Sequence, residues 1–275
     1  MMKASSELEE NTPMILMRKE RKPGSGLISG NLSAGLKLGY RNFTKPHLSY
    51  RLGLLWVVLD PLLRAIVFSF LMIVIRGNTS PESLVIGVFT IYALNNSISS
   101  SMNLRLSAEP FPLRHTPSST MIVSKITSDI LNSIFLGLSS AIILILIVEM
   151  PIILVLVLPL ACIALSLIGS GVGLVLSPIV MIVKDISKII SYLLLLSFFL
   201  QCVLYPFSDT EGLHRIVLSW LPHTIFVEWV RSASSGNQYP FSTQHVFSTL
   251  FLWAIPMFYG FFRFNQYRWR STTWS

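Results

Sequence analysis

The chain has 275 residues, 52% of them hydrophobic and only 12% charged, where an ordinary soluble domain carries roughly 25% charged residues. With a mean hydropathy of +0.64, this composition excludes an ordinary water-soluble fold and points to an all-α membrane protein. Its 21 Lys and Arg against 13 Asp and Glu, a net charge of +8, then read as basic cytoplasmic edges and not as a nucleic-acid surface. Cys162 and Cys202 both lie in apolar runs, so neither a disulfide scaffold nor a zinc site is expected. No Walker-type glycine loop or GxGxxG occurs, and no metal or cofactor is expected in this chain.

Residues 1–26 are polar and charged with no apolar core near the start, so they read as a cytoplasmic tail and not as a cleaved signal peptide. Residues 27–46 show a helical period. Ile28, Leu32, Leu36, Gly39 and Phe43 share one side and Lys37, Arg41 and Lys45 the other. This predicts a basic amphipathic helix lying in the membrane interface, or alternatively one packed on a soluble partner. Pro46 is expected to end it.

A membrane-crossing helix needs about 20 apolar residues, and six blocks qualify: 50–75, 84–103, 120–148, 152–180, 187–206 and 244–262. The third and fourth are separated only by Glu149, Met150 and Pro151. Together they span about 60 residues, which as one helix would run some 90 Å, so they must form a tight hairpin. Gly169, Gly171 and Gly173 in the fourth block are spaced for close helix approach. The segment 207–243 is expected to hold two short re-entrant or interfacial helices, Leu213 to Leu221 and His223 to Ser234, the second closing at Ser235-Gly236. Residues 47–265 therefore read as one six-span domain and 266–275 as a second cytoplasmic tail. With the amino terminus inside, 17 of the 21 Lys and Arg fall on the cytoplasmic side, which places both termini in the cytoplasm of a multi-pass plasma-membrane protein.

Several local patterns, in order, carry a resemblance. Tyr50-Arg51-x-Gly53-x-Leu55-Trp56 is followed by Asp60-Pro61-Leu62; Phe111-Pro112-Leu113-Arg114 precedes the third block and Lys184-Asp185-Ile186 the fifth. Trp220-Leu221-Pro222-His223-Thr224 follows, with Glu228 and Arg231 after it. Over residues 27–265 the chain resembles the permease subunits of type-2 ABC exporters, in the branch that exports polysaccharides such as O-antigen, capsule and teichoic acid. Pro222-His223 stands where that branch carries Asn-Pro. The resemblance implies a homodimer bound to two copies of a separate cytoplasmic ATPase subunit, which holds ATP and Mg, and a lipid-linked glycan as substrate. The permease itself would not be an enzyme.

Asp60 and Arg64 are one helical turn apart within the first block, where an ionisable group is costly unless paired or facing a water-filled path. They read as an intrahelical or dimer-facing pair, or as substrate contacts. Lys125 and Asp129 repeat the spacing in reverse order, with Lys125 expected to snorkel to the cytoplasmic surface. Asn96, Ser99, Ser100 and Asn103 share one helix face, and suit either sugar hydroxyls or interhelical hydrogen bonding. Phe198, Phe199, Tyr205, Phe207, Trp220 and Trp229 suit sugar stacking or anchoring at the headgroup level. In the loop 104–119, Phe111 flanked by Pro110 and Pro112, with Glu109, Arg114 and His115 around it, reads as the ATPase-docking element or as a plain cytoplasmic turn. An exporter of a drug or another lipid is the nearest alternative function. A membrane-embedded glycosyl- or acyltransferase is the second, but the five histidines are scattered and the carboxylates do not cluster.

Overall fold

The computed structural model describes residues 25–48, 51–53, 55–76, 81–104 and 118–271, which form helices joined by turns and connections, with no strand among them. Helix α1 is Ser25–Leu48, α2 Leu55–Arg76, α3 Pro81–Met102, α4 Ser118–Val148 and α5 Leu154–Ile182. They are followed by α6 Asp185–Leu200, a 3-10 turn Phe207–Asp209, α7 Gly212–Ser219, α8 Pro222–Ser235 and α9 Thr243–Ser271. Among the described residues, three helices are long and apolar enough to cross a membrane, over Ser119–Leu146, Leu154–Val180 and Thr243–Phe264. They match the third, fourth and sixth apolar blocks.

The expected hairpin lies between α4 and α5. Glu149 adopts a left-handed φ of 58°, uncommon for any residue with a side chain, and Met150 N donates to Leu144 O at 3.4 Å. Pro151 has no N–H with which to continue α4, and the chain re-enters a helix through a turn in which Leu154 N donates to Pro151 O at 3.1 Å. The two short helices of 207–243 also form close to their expected bounds. Pro222 occupies the first turn of α8, where its missing N–H costs nothing, and Gly236 at φ 71° supplies the left-handed stop.

Two boundaries differ from expectation. α1 runs through Pro46 to Leu48. A proline this near a helix end disturbs only the last turn, and the bias it places on the preceding residue is not an absolute stop. The fifth block is helical only to Leu200, because Gln201 turns extended and Tyr205 Oη folds back to donate to Leu200 O at 2.7 Å. Its 16 residues rise about 24 Å, short of a full apolar span without its flanks.

The bundle is organised around α5, which α3, α4 and α9 contact along its length. Of the apolar window of α5, 61% is buried, against 11% for α9, so α5 is the axis and α9 a peripheral stave. Small residues make that arrangement possible. A methyl group built on Gly169 would meet Leu94 O at 2.7 Å and one on Gly173 Ile98 O at 2.5 Å, so both glycines lie flush against α3. Gly171 and Gly260 do the same between α5 and α9, where a methyl on Gly260 would stand 2.2 Å from Gly171 O. Without a hydrophobic drive between helices in lipid, such backbone proximity is a main source of packing energy. Gly260→Ala is therefore expected to lower stability by about 1–3 kcal/mol through overpacking. Thermal unfolding in detergent measures this, and an unchanged midpoint would show that the α5–α9 seam opens freely.

α1 packs on α4 with a different face from the one its leucines suggest. Gly35 and Gly39 lie against Val123 and Ser124, Asn42 Nδ2 donates to Ser124 Oγ at 3.0 Å, and Phe43 meets Phe135 edge-on at 6.4 Å. Leu32 and Leu36 are 53% and 48% exposed. The docking face keeps Gly39 and Phe43 of the expected apolar stripe but is centred roughly 35° away from it, at 100° per residue. Glycines let two backbones meet, whereas leucines would hold them apart, so Leu32 and Leu36 are left exposed on the side opposite the basic stripe.

Candidate functional site

α3 and α6 are joined by polar groups that the sequence places on the second block. Asn95 Nδ2 donates to Leu194 O at 3.1 Å, and Ser187 Oγ donates to Asn103 Oδ1 at 3.1 Å. Asn103 Nδ2 also reaches Ser99 O at 2.9 Å. Asn103 thus serves as interhelical glue. Asn96 and Ser100 stand apart from that seam, Asn96 half-buried and Ser100 exposed with its hydroxyl donating to Asn96 O at 2.7 Å. Phe198 is buried while its neighbour Phe199 is exposed, the two rings edge to face at 5.5 Å. Tyr205 is engaged with Leu200 O and His214 Nε2, so it ties the end of α6 to α7.

Lys125 is 7% exposed and Asp129 5%, so the expected snorkelling does not occur. Instead the ammonium pairs with Asp129, whose second carboxylate oxygen accepts from Ser170 Oγ of α5. The reason is geometric: reaching the end of α4 from position 125 is unnecessary when a carboxylate lies one turn away, and a charge in an apolar bundle is held most cheaply by a partner.

A second buried pair ties together the opposite region. Arg231 Nη1 donates to Glu228 Oε1 at 2.7 Å and to Tyr205 O at 3.3 Å, while Nη2 donates to Ser83 O at 3.0 Å and Val203 O at 3.2 Å. Glu228 Oε1 also accepts Phe207 N at 3.1 Å. One guanidinium therefore holds the start of α3, the 201–207 connection and α8 in register, as a rigid five-donor fork allows. Beside it, His223 is fully buried, and burial, followed by the Arg231 charge, pushes its imidazole down to about 3. Thr90 Oγ1 lies 2.8 Å from Ile86 O and 3.0 Å from Gly87 O, to which it donates, so neutral His223 donates from Nε2 to Thr90 Oγ1 at 3.1 Å. The sequence marked Glu228, Arg231 and His223 only as positions in a resemblance. The i,i+3 acid–base spacing of Glu228 and Arg231 is the signal that could have found the pair.

The remaining predicted residues stay apart. Lys37, Arg41 and Lys45 are exposed along α1. Asp60 is half-buried on α2, while the side chain of Arg64 lies outside the described residues, as do Glu109, Phe111, Pro112, Arg114 and His115, nearly all of the first expected tail and residues 272–275 of the second, whose earlier part continues α9.

Against this helical framework, the model of the family described as ABC-2 type transporter matches residues 38–239, from within α1 to just beyond α8. The chain belongs to the ABC-2 type transporter family. No curated protein matches it. As a member of that family the chain is a membrane transport subunit, of a kind that normally works with a separate ATPase subunit. The matched region takes in α2 to α8 whole, and so includes both buried pairs.

Proposed function

We propose that this permease is the membrane subunit of an ATP-driven exporter moving a polysaccharide or lipid-linked glycan across the plasma membrane. It acts as a homodimer with two copies of a cytoplasmic ATPase, which bind ATP and Mg. α2, α3 and α6 complete six spans with the three apolar helices, α7 and α8 are re-entrant, and both termini are cytoplasmic, as the distribution of basic residues favours. α1 rests in the interface with Leu32 and Leu36 toward lipid and Lys37, Arg41 and Lys45 toward anionic headgroups.

The observation that supports a glycan over an apolar cargo is the polar end of α3. There Asn96 and Ser100 remain outside the α3–α6 seam, offering uncharged hydrogen-bonding groups in a largely apolar bundle. Asp60 and Arg64 on α2 belong to the same substrate path. The test is ATP hydrolysis by the reconstituted complex. A polyprenyl-linked oligosaccharide should stimulate it several-fold, and stimulation by an amphiphilic drug alone would replace this reading with drug export.

The loop carrying Glu109, Phe111, Pro112, Arg114 and His115 is the ATPase-docking element in this reading. Phe111→Asp is expected to abolish co-purification of the ATPase or to uncouple its hydrolysis from transport, because an unpaired carboxylate in an apolar cleft costs several kcal/mol. Undiminished export by a well-expressed variant would remove the loop from that role.

A further inference from the structure

A cavity of about 480 Å³ opens between α8, the 3-10 turn before α7 and the loop leading to α9. Its volume is in the range of small-molecule sites, and its lining mixes apolar, polar and charged side chains. Phe207, Pro206 and Pro240 give it apolar walls, while Ser232, Asn237 and Gln238 add hydroxyl and amide groups. Glu228 and Arg231 also border it and neutralise one another. Arg215 remains, exposed, with its guanidinium carbon 5.1 Å from the centroid of the buried Phe207 ring. The charge of the lining is therefore one positive unit. Arg231 adds a further feature: four of its N–H groups go to Glu228, Tyr205, Ser83 and Val203, and its buried Nε has no partner among the described residues.

These properties select a ligand class. An apolar ligand would strip water from Arg215 and from the edge of the buried ion pair without replacing its hydrogen bonds. A cation would meet a net positive wall. A hydroxylated ring bearing one anionic group meets all the requirements: its C–H face packs on the proline and phenylalanine surfaces, its hydroxyls pair with the serine and amide groups, and its anion takes the planar guanidinium in a charge-assisted bond.

We propose that this cavity is a binding site for an acidic sugar, a hydroxylated ring carrying one phosphate or carboxylate, with Arg215 receiving the anion. The link to export rests on the glycan reading above, in which the cavity lies on the external side and would meet the glycan as it leaves. The binding chemistry itself does not depend on transport.

The experiment is calorimetric titration of the full-length chain in lipid nanodiscs with α-D-glucose 1-phosphate, glucuronate, glucose and inorganic phosphate in turn. One or both acidic sugars should bind saturably and at least about tenfold tighter than glucose, the usual scale of one charge-assisted hydrogen bond. The response to each identifies whether phosphate or carboxylate is the preferred anion. Arg215→Gln should bring acidic and neutral sugars within about twofold of one another, and Arg215→Lys should keep part of the preference. Asn237→Trp, which fills the cavity from its exposed rim, should abolish binding and provides the answer if Arg215→Gln does not fold. The proposal is overturned by absence of saturable binding. It is equally overturned by an unchanged preference in Arg215→Gln, or by inorganic phosphate binding as tightly as glucose 1-phosphate. Acidic-sugar binding in a protein whose ATPase responds only to drugs would sink the glycan-export reading and leave this site standing. Glycan-stimulated hydrolysis without sugar binding here would do the reverse.

Discussion

Replacing Arg231 by methionine is expected to cost about 3–5 kcal/mol of stability, the usual penalty for breaking a buried ion pair from one side. The variant strands more than one group. Glu228, 8% exposed, keeps a carboxylate whose only other described partner is Phe207 N, and the carbonyls of Ser83, Val203 and Tyr205 lose their donor. They lie on three different segments, so the loss should loosen the start of α3, the 201–207 connection and α8 together. Arg231→Lys should recover only part of the stability, since a single ammonium cannot serve two opposed pairs of acceptors with the fixed fork geometry of a guanidinium. Thermal unfolding of purified protein in detergent measures the loss, and hydrogen exchange locates it. A midpoint within error of the wild type would mean that hydrophobic packing alone sets the position of α8.

The second large effect concerns Lys125 and Asp129. Lys125→Met should destabilise the bundle by about 3–5 kcal/mol because Asp129 is left ionised or forced to take up a proton among apolar neighbours. Asp129→Leu should cost a similar amount, and it also deprives Ser170 Oγ of its acceptor on the facing helix. The double variant Lys125→Met/Asp129→Leu removes both charges and should return to within about 1–2 kcal/mol of the wild type, since apolar replacement of a buried pair is often close to neutral. Unfolding midpoints of the three variants test this directly. Additive losses would show that the two charges do not act as a pair. Measured in parallel, transport by the stable double variant separates a purely structural pair from one that the transport cycle requires, because only the latter would lose activity while keeping its fold.

Much of the architecture follows from the one-dimensional pattern because a helix is the only way an isolated apolar run satisfies its own backbone in lipid. Block length and Pro151 were enough to separate α4 from α5, and Pro222 and Gly236 to bound α8, since these residues act through local backbone geometry that needs no partner. The glycines at 169, 171 and 173 were recognisable as approach points for the same reason, though not which helix each would face: Gly169 and Gly173 meet α3 and Gly171 meets α9. The face of α1 that docks was decided only in three dimensions. Its leucines are the more hydrophobic stripe, but contact with α4 rewards closeness, and Gly35 and Gly39 allow it. The end of α6 at Leu200 depends on a tyrosine hydroxyl from beyond the helix, and the pairing of Lys125 depends on Asp129 being anchored by Ser170 of another helix. Arg231 is the clearest case. Its spacing to Glu228 is visible along the chain, but the three carbonyls it gathers come from residues 83, 203 and 205. No local periodicity encodes a meeting of segments nearly 150 residues apart in sequence, because it exists only once α3, α5 and α8 have packed.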